Sequence, residues 1–168
     1  MKKHIKYISS LFLLILAGCD GGIAPLPDEG KAVFSGTITF VGDWAVSVTR
    51  THLVAFKNEL VEPSDFFPPN LSYASDEIVP GSTVFEYRSD EFAFIDINPG
   101  IYNYIAVVQS TTASFSLNRG DWFVVGVYYA GGDTTKPGTM TLNAGRTVSG
   151  INIICDFNNP PPQPPGGN

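Results

Sequence analysis

Between residues 33 and 157 no segment sustains a 3.6-residue apolar period. Short runs of period two recur instead, each soon closed by glycine, proline or asparagine. A helix without an apolar stripe has no face to bury, so the core of such a chain must be built from strands. In Phe34-Ser35-Gly36-Thr37-Ile38-Thr39-Phe40 the apolar side chains Phe34, Ile38 and Phe40 fall on one face and Ser35, Thr37 and Thr39 on the other, the pattern of a half-buried strand. Further strands are expected over 44–49, 53–56, 83–87, 92–97, 101–109, 122–129, 138–142 and 148–157; in the last, Ile151, Ile153, Cys155 and Phe157 share a face. Turn chemistry separates the runs at Asn98-Pro99-Gly100, Asn118-Arg119-Gly120, Gly131-Gly132-Asp133 and Asn143-Ala144-Gly145. The expectation is an all-β, two-sheet Greek-key sandwich of about seven to eight strands. Residues 58–82 break the spacing and read as one long loop. Its Phe66-Phe67-Pro68-Pro69 must either fold back as a lid or present a stiff apolar knob, which makes Phe66 and Phe67 candidate interaction residues.

The first residues carry Lys2, Lys3 and Lys6, and 8–16 are apolar apart from Ser9 and Ser10. This is the layout of a secretory signal, too short for a spanning helix, which needs about 20 residues. Leu16-Ala17-Gly18-Cys19 resembles a bacterial lipobox, which implies lipidation of Cys19 and removal of residues 1–18. Two or three acyl chains make such an anchor durable where one is marginal. Asp20 resembles an inner-membrane retention signal, so the expected location is the cell envelope on the periplasmic side of the inner membrane, with the outer membrane or cell surface as alternatives. Residues 19–31 then form the lipidated cysteine and a tether of roughly 18 Å reach, 32–158 the sandwich, and 159–168 a Pro/Gly-rich disordered tail.

Processing leaves seven basic and sixteen acidic side chains, a formal charge of −9 against −6 for the whole chain, which argues against a nucleic-acid partner. Cys155 is the only cysteine besides Cys19, so a disulfide scaffold is ruled out and Cys155 reads as a small core hydrophobe.

Five fragments in order, Ser35-Gly36-Thr37-Ile38-Thr39-Phe40, Val54-Ala55-Phe56, Asn98-Pro99-Gly100-Ile101-Tyr102-Asn103-Tyr104, Val125-Gly126-Val127-Tyr128 and Gly145-Arg146-Thr147-Val148-Ser149-Gly150-Ile151-Asn152-Ile153, resemble the transthyretin-like or carboxypeptidase-regulatory-domain-like modules of bacterial surface proteins. The resemblance implies a prealbumin-like sandwich with a structural or accessory role. Tyr102 resembles the tyrosine that pins a Greek-key corner through its hydroxyl.

No reaction is legible. His52 is the only histidine after processing and has no nucleophile signature around it, so the expectation is a non-enzyme. The hydroxyisourate hydrolase of the transthyretin-like group ends in Tyr-Arg-Gly-Ser, whereas this domain closes Cys155-Asp156-Phe157-Asn158-Asn159. Zinc lacks a His/Cys ligand cluster and no cofactor is expected; structural calcium on Asp90, Glu91, Asp96, Asp121 or Asp133 is the alternative. The sequence therefore points to a membrane-anchored lipoprotein with a structural or protein-interaction module and an envelope protein as partner. The alternative is a carbohydrate-binding module, with Trp44 and Trp122 as the candidate sugar-stacking rings.

Overall fold

The computed structural model describes residues 30–167, so the leader, Cys19 and nearly all of the tether lie outside the described residues. Ten strands follow in the order β1 (Val33–Val41), β2 (Arg50–Phe56), β3 (Leu71–Ala74), β4 (Val84–Arg88), β5 (Gly100–Tyr102), β6 (Tyr104–Ser110), β7 (Trp122–Val127), β8 (Met140–Leu142), β9 (Thr147–Val148) and β10 (Ile153–Asp156), and the helical pieces among the described residues are three short 3-10 turns. One sheet has β1 at its centre, antiparallel to β4 and parallel to β10, with β9 pairing the start of β1; the second runs β3-β2-β6-β7, and β5 pairs β8. The fold is all-β and sandwich-like. The ten strands exceed the expected seven to eight because β5, β8 and β9 are pieces of only two or three residues.

Register explains the inner core. Ile38 pairs with Ile153 and Phe40 with Cys155 across the parallel ladder, so the apolar alternations of β1 and β10 fall on the same face. That face meets Leu53 and Ala55 of β2 and Ile105 and Val107 of β6 from the second sheet. The sheets approach so closely at Gly126 that a Cβ there would lie 2.5 Å from Cys155 Sγ and 2.8 Å from Ile153 Cγ2. Burial raises the Cys155 thiol far above its usual range, as suits a core hydrophobe.

The second sheet carries apolar side chains on both faces. Every residue of β6 is buried, which explains why residues 104–108 read as a continuous apolar run where β1 alternates. On its outer face Val54, Phe56, Tyr104, Ala106, Val108, Trp122 and Val124 form a second apolar cluster with Phe66.

Three expected elements are corrected. Residues 44–49 form a turn, with the Val48 N–H bonded to Ala45 O; only Trp44 of their apolar positions packs on the core, while Val46 is fully exposed. Over 92–97 only Ile95 bridges to Ala74. The long loop 58–82 contains β3, which pairs with β2 and is too short to show a period.

The Tyr102 ring is fully buried and its hydroxyl donates to Asn98 O at 2.7 Å, closing the turn before β5. Tyr102→Phe leaves that carbonyl without its donor and should lower the unfolding free energy by about 1–3 kcal/mol. A wild-type denaturant midpoint would remove the corner bond from the account.

Candidate functional site

The loop after β2 is held down by short-range polar bonds before any apolar contact is made. Asp65 Oδ2 accepts from the Val61 and Glu62 N–H groups at 2.9 and 2.8 Å. The Asn70 side chain accepts from Asn58 N–H at 2.8 Å and donates to Asp65 O at 2.9 Å. The 3-10 turn Pro63–Phe66 is thereby aimed at the sheet, and Phe66, 4 % exposed, packs 5.3 Å from Phe56 and 5.7 Å from Phe67 between ring centroids. Of the two readings of Phe66 and Phe67 the lid describes Phe66; Phe67 is half-buried beside it.

The lid does not cover the whole outer face. Beside it lies a cavity of about 410 Å³, within the range of small-ligand sites at about 300–1,000 Å³. Val54 and Phe56 of β2, Val108 of β6 and Trp122 of β7 make its floor, and Phe66 and Phe67 one wall. Phe94 and Phe115 stand at its edge, 67 % and 53 % exposed. Arg50, His52, Asp76 and Glu77 supply the only charged or titratable groups of the lining.

The polar groups follow from the pleat of β2. Thr51, Leu53 and Ala55 turn inward, so Arg50 and His52 emerge together on the outer face beside Val54. Arg50 Nη2 donates to Ala113 O at 2.9 Å and Nη1 lies 3.6 Å from Glu77 Oε2. His52 Nδ1 is 2.9 Å from Ser75 O. A carbonyl only accepts, so Nδ1 carries the proton and, in the neutral ring, Nε2 is an acceptor. Neither His52 Nε2 nor Arg50 Nε has a hydrogen-bond partner, and both are sealed from solvent. With no hydroxyl or thiol bonded to Nε2, no nucleophile–base pair is assembled there.

The two tryptophans are not brought together. Trp122 is buried in the outer cluster, its Nε1 donating to Ser116 O at 2.9 Å. Trp44 is half-buried against Phe40 and Phe157 on the inner core, its Nε1 donating to Ser82 O at 3.0 Å. They form no shared stacking platform, because each ring fills a different core. Of the acidic residues considered for calcium, Asp90 and Asp96 line one surface pocket, and Glu91 pairs with Arg88 at 3.3 Å. Asp90 pairs with Arg88 at 3.1 Å, a bond that holds its carboxyl below the usual range. Asp121 accepts from Ser116 and Asn118, and Asp133 from Thr135. Among the described residues no group of three or more His, Cys, Asp or Glu side chains is placed to hold a metal.

The sequence reading missed Phe94, Phe115 and the polar pair Arg50–His52. Phe115 carried a signal, as a lone aromatic in the polar stretch Thr111-Thr112-Ala113-Ser114-Phe115-Ser116.

The tail is a correction. Residues 160–167, expected to be disordered, lie along β7, where Gln163 Oε1 accepts from Val124 N–H and Gln163 Nε2 donates to Val124 O, both at 2.8 Å. Arg119, 4 % exposed, donates to Pro164 O at 3.2 Å and to Trp122 O, with its guanidinium carbon 4.2 Å from the centre of the Phe66 ring. Burial lowers its pKa from the usual guanidinium value.

No family model, curated protein or solved structure matches the chain.

Proposed function

We propose that this chain is a lipid-anchored, non-catalytic interaction module of the bacterial cell envelope, and that its contact site is the aromatic-edged cavity on the outer face of β3-β2-β6-β7. The carrying observation is that Phe94 and Phe115 stand exposed around an apolar cavity instead of closing it. Apolar surface left open beside a rigid sheet is characteristic of a recognition site. His52, whose Nε2 meets no hydroxyl or thiol, and the buried Cys155 thiol support a role without covalent chemistry. The two facing sheets support the Greek-key, prealbumin-like reading, the lipobox-like Leu16-Ala17-Gly18-Cys19 supports attachment through Cys19, and Asp20 supports the periplasmic side of the inner membrane. No helix among the described residues is long and apolar enough to cross a membrane.

Two variants of the full chain test the two halves of this reading. Cys19→Ser should move the protein from the membrane to the soluble fraction with an unchanged denaturation midpoint; persistence on membranes through a high-salt wash overturns the anchor. The double variant Phe94→Ser, Phe115→Ser should stay folded and membrane-bound but lose most of the material cross-linked to the wild type in native membranes. Undiminished cross-linking to the same species overturns the cavity as the contact site.

A further inference from the structure

The two larger sheets have β10 and β4, and β3 and β7, as their edge strands, and of these four β4 is the one left open. Gln163 covers β7 at Val124. The edge of β3 is taken by the segment after β4, whose Phe94 and Ile95 N–H groups donate to Ala74 O at 2.8 and 2.9 Å. β10 leans on β7, where a Cβ on Gly126 would come within 3.0 Å of Ile154 O. β4 has β1 on one side and no strand on the other, and neither a proline nor a bulge blunts it.

The ladder fixes where the β4 peptide groups point. The Phe40 N–H donates to Thr83 O at 2.9 Å and the Ser89 N–H to Phe34 O at 2.9 Å, which marks Phe40–Thr83 and Phe34–Ser89 as hydrogen-bonded pairs. In an antiparallel ladder such pairs alternate with pairs whose groups point away from each other. Val84, Glu86 and Arg88, opposite Thr39, Thr37 and Ser35, therefore turn their N–H and C=O groups to the open edge. Among the described residues the one main-chain bond to any of these groups is from the Glu91 N–H to Arg88 O, at 3.2 Å. The side chains of the same three residues lie on the solvent face, because Phe85 and Tyr87 take the core.

We propose that this edge is an interface for a second copy of the chain, β4 pairing antiparallel with β4 about a two-fold axis, Glu86 of each copy opposite Arg88 of the other. Two copies joined here must set outward-pointing residues against each other, so the register moves in steps of two residues. Glu86 opposite Glu86 brings like charges together, and a step one way sets Val84 against Glu86. A step the other way sets Glu86 against Arg88, and symmetry repeats the pair. Each of these pairs also exchanges two main-chain bonds. The charges of the edge are thus self-complementary in one register. Arg88 is half-buried and holds Asp90 at 3.1 Å and Glu91 at 3.3 Å, but a guanidinium has five donors, so a further carboxylate can be met without giving these up. A two-fold pairing closes on itself and yields dimers, with no larger species.

The test is sedimentation equilibrium of the full chain in a density-matched non-ionic detergent, at concentrations up to about 1 mM, where weak pairs associate. The wild type should show a reversible monomer–dimer equilibrium. Glu86→Arg and Arg88→Glu, each alone, set like charges opposite one another and should weaken the dimer by at least about tenfold. An equimolar mixture of the two variants makes both pairs opposite in sign again and should recover the dimer, with one copy of each variant seen by native mass spectrometry. Recovery also shows that neither variant has lost its fold. The double variant Phe94→Ser, Phe115→Ser should dimerise as the wild type does; loss of the dimer there assigns the contact to the cavity and overturns the edge. A wild type that stays monomeric overturns the proposal, as does a dimer of unchanged strength in either charge variant. Weakening in both variants without recovery on mixing overturns the Glu86–Arg88 pairing.

Discussion

Phe66→Ala is expected to lower the unfolding free energy by about 3–5 kcal/mol, the cost of removing a buried phenylalanine whose surroundings cannot collapse into the gap. Collapse is opposed because the turn that carries Phe66 is pinned by Asp65 and Asn70, and the floor beneath it is sheet. The substitution also takes the ring from under the Arg119 guanidinium. Phe67→Ala should cost much less, since that ring is half-buried and faces the cavity. Urea unfolding of both variants decides between a lid and a loosely draped loop. Near-equal small losses would show that residues 58–70 do not seal the outer face.

The same residues show how far the sequence could be read. Alternation in β1 and in Ile151, Ile153 and Cys155 reports a sheet with one wet face, because the pattern is imposed by solvent on alternate side chains. Where both faces are covered that imposition disappears, as in β6, and the sequence no longer says which side chain points where. Residues 44–49 alternate by coincidence: Trp44 is anchored by an indole N–H to Ser82 O, which closes a turn without needing a strand. The cavity was illegible for a related reason. His52 looks like an edge residue until β3 and the loop bearing Ala113 are laid against β2, and those contacts join positions more than 20 residues apart. Phe66 and Phe67 were legible as a pair, but which one is buried depends on the turn set by Asp65 and Asn70.

Ending the chain after Asn159 is expected to cost about 3 kcal/mol of stability, from two hydrogen bonds of Gln163 and one charge-assisted bond of Arg119 at about 0.5–3 kcal/mol each. A proline-rich segment cannot pair as a strand, since most of its residues have no N–H to give. Gln163 gets round this by supplying, in one side-chain amide, the donor and the acceptor that a neighbouring strand would present to Val124. Composition alone predicts disorder for residues 159–168 because it counts core-forming side chains, and this segment is held by polar geometry instead. The glycines have a matching reason. Gly166 sits at φ 76°, where a Cβ would come within 2.8 Å of Pro63, and a Cβ on Gly167 would lie 2.5 Å from Arg119 Nη2. Truncation should have a second consequence, because Val124 then offers unpaired groups on an open edge strand, and such edges recruit other strands. The truncated protein should therefore show concentration-dependent self-association by sedimentation velocity, with Gln163→Ala giving a weaker form of both effects. A truncated chain that keeps its denaturation midpoint and stays monomeric would reduce the strap to a passive covering.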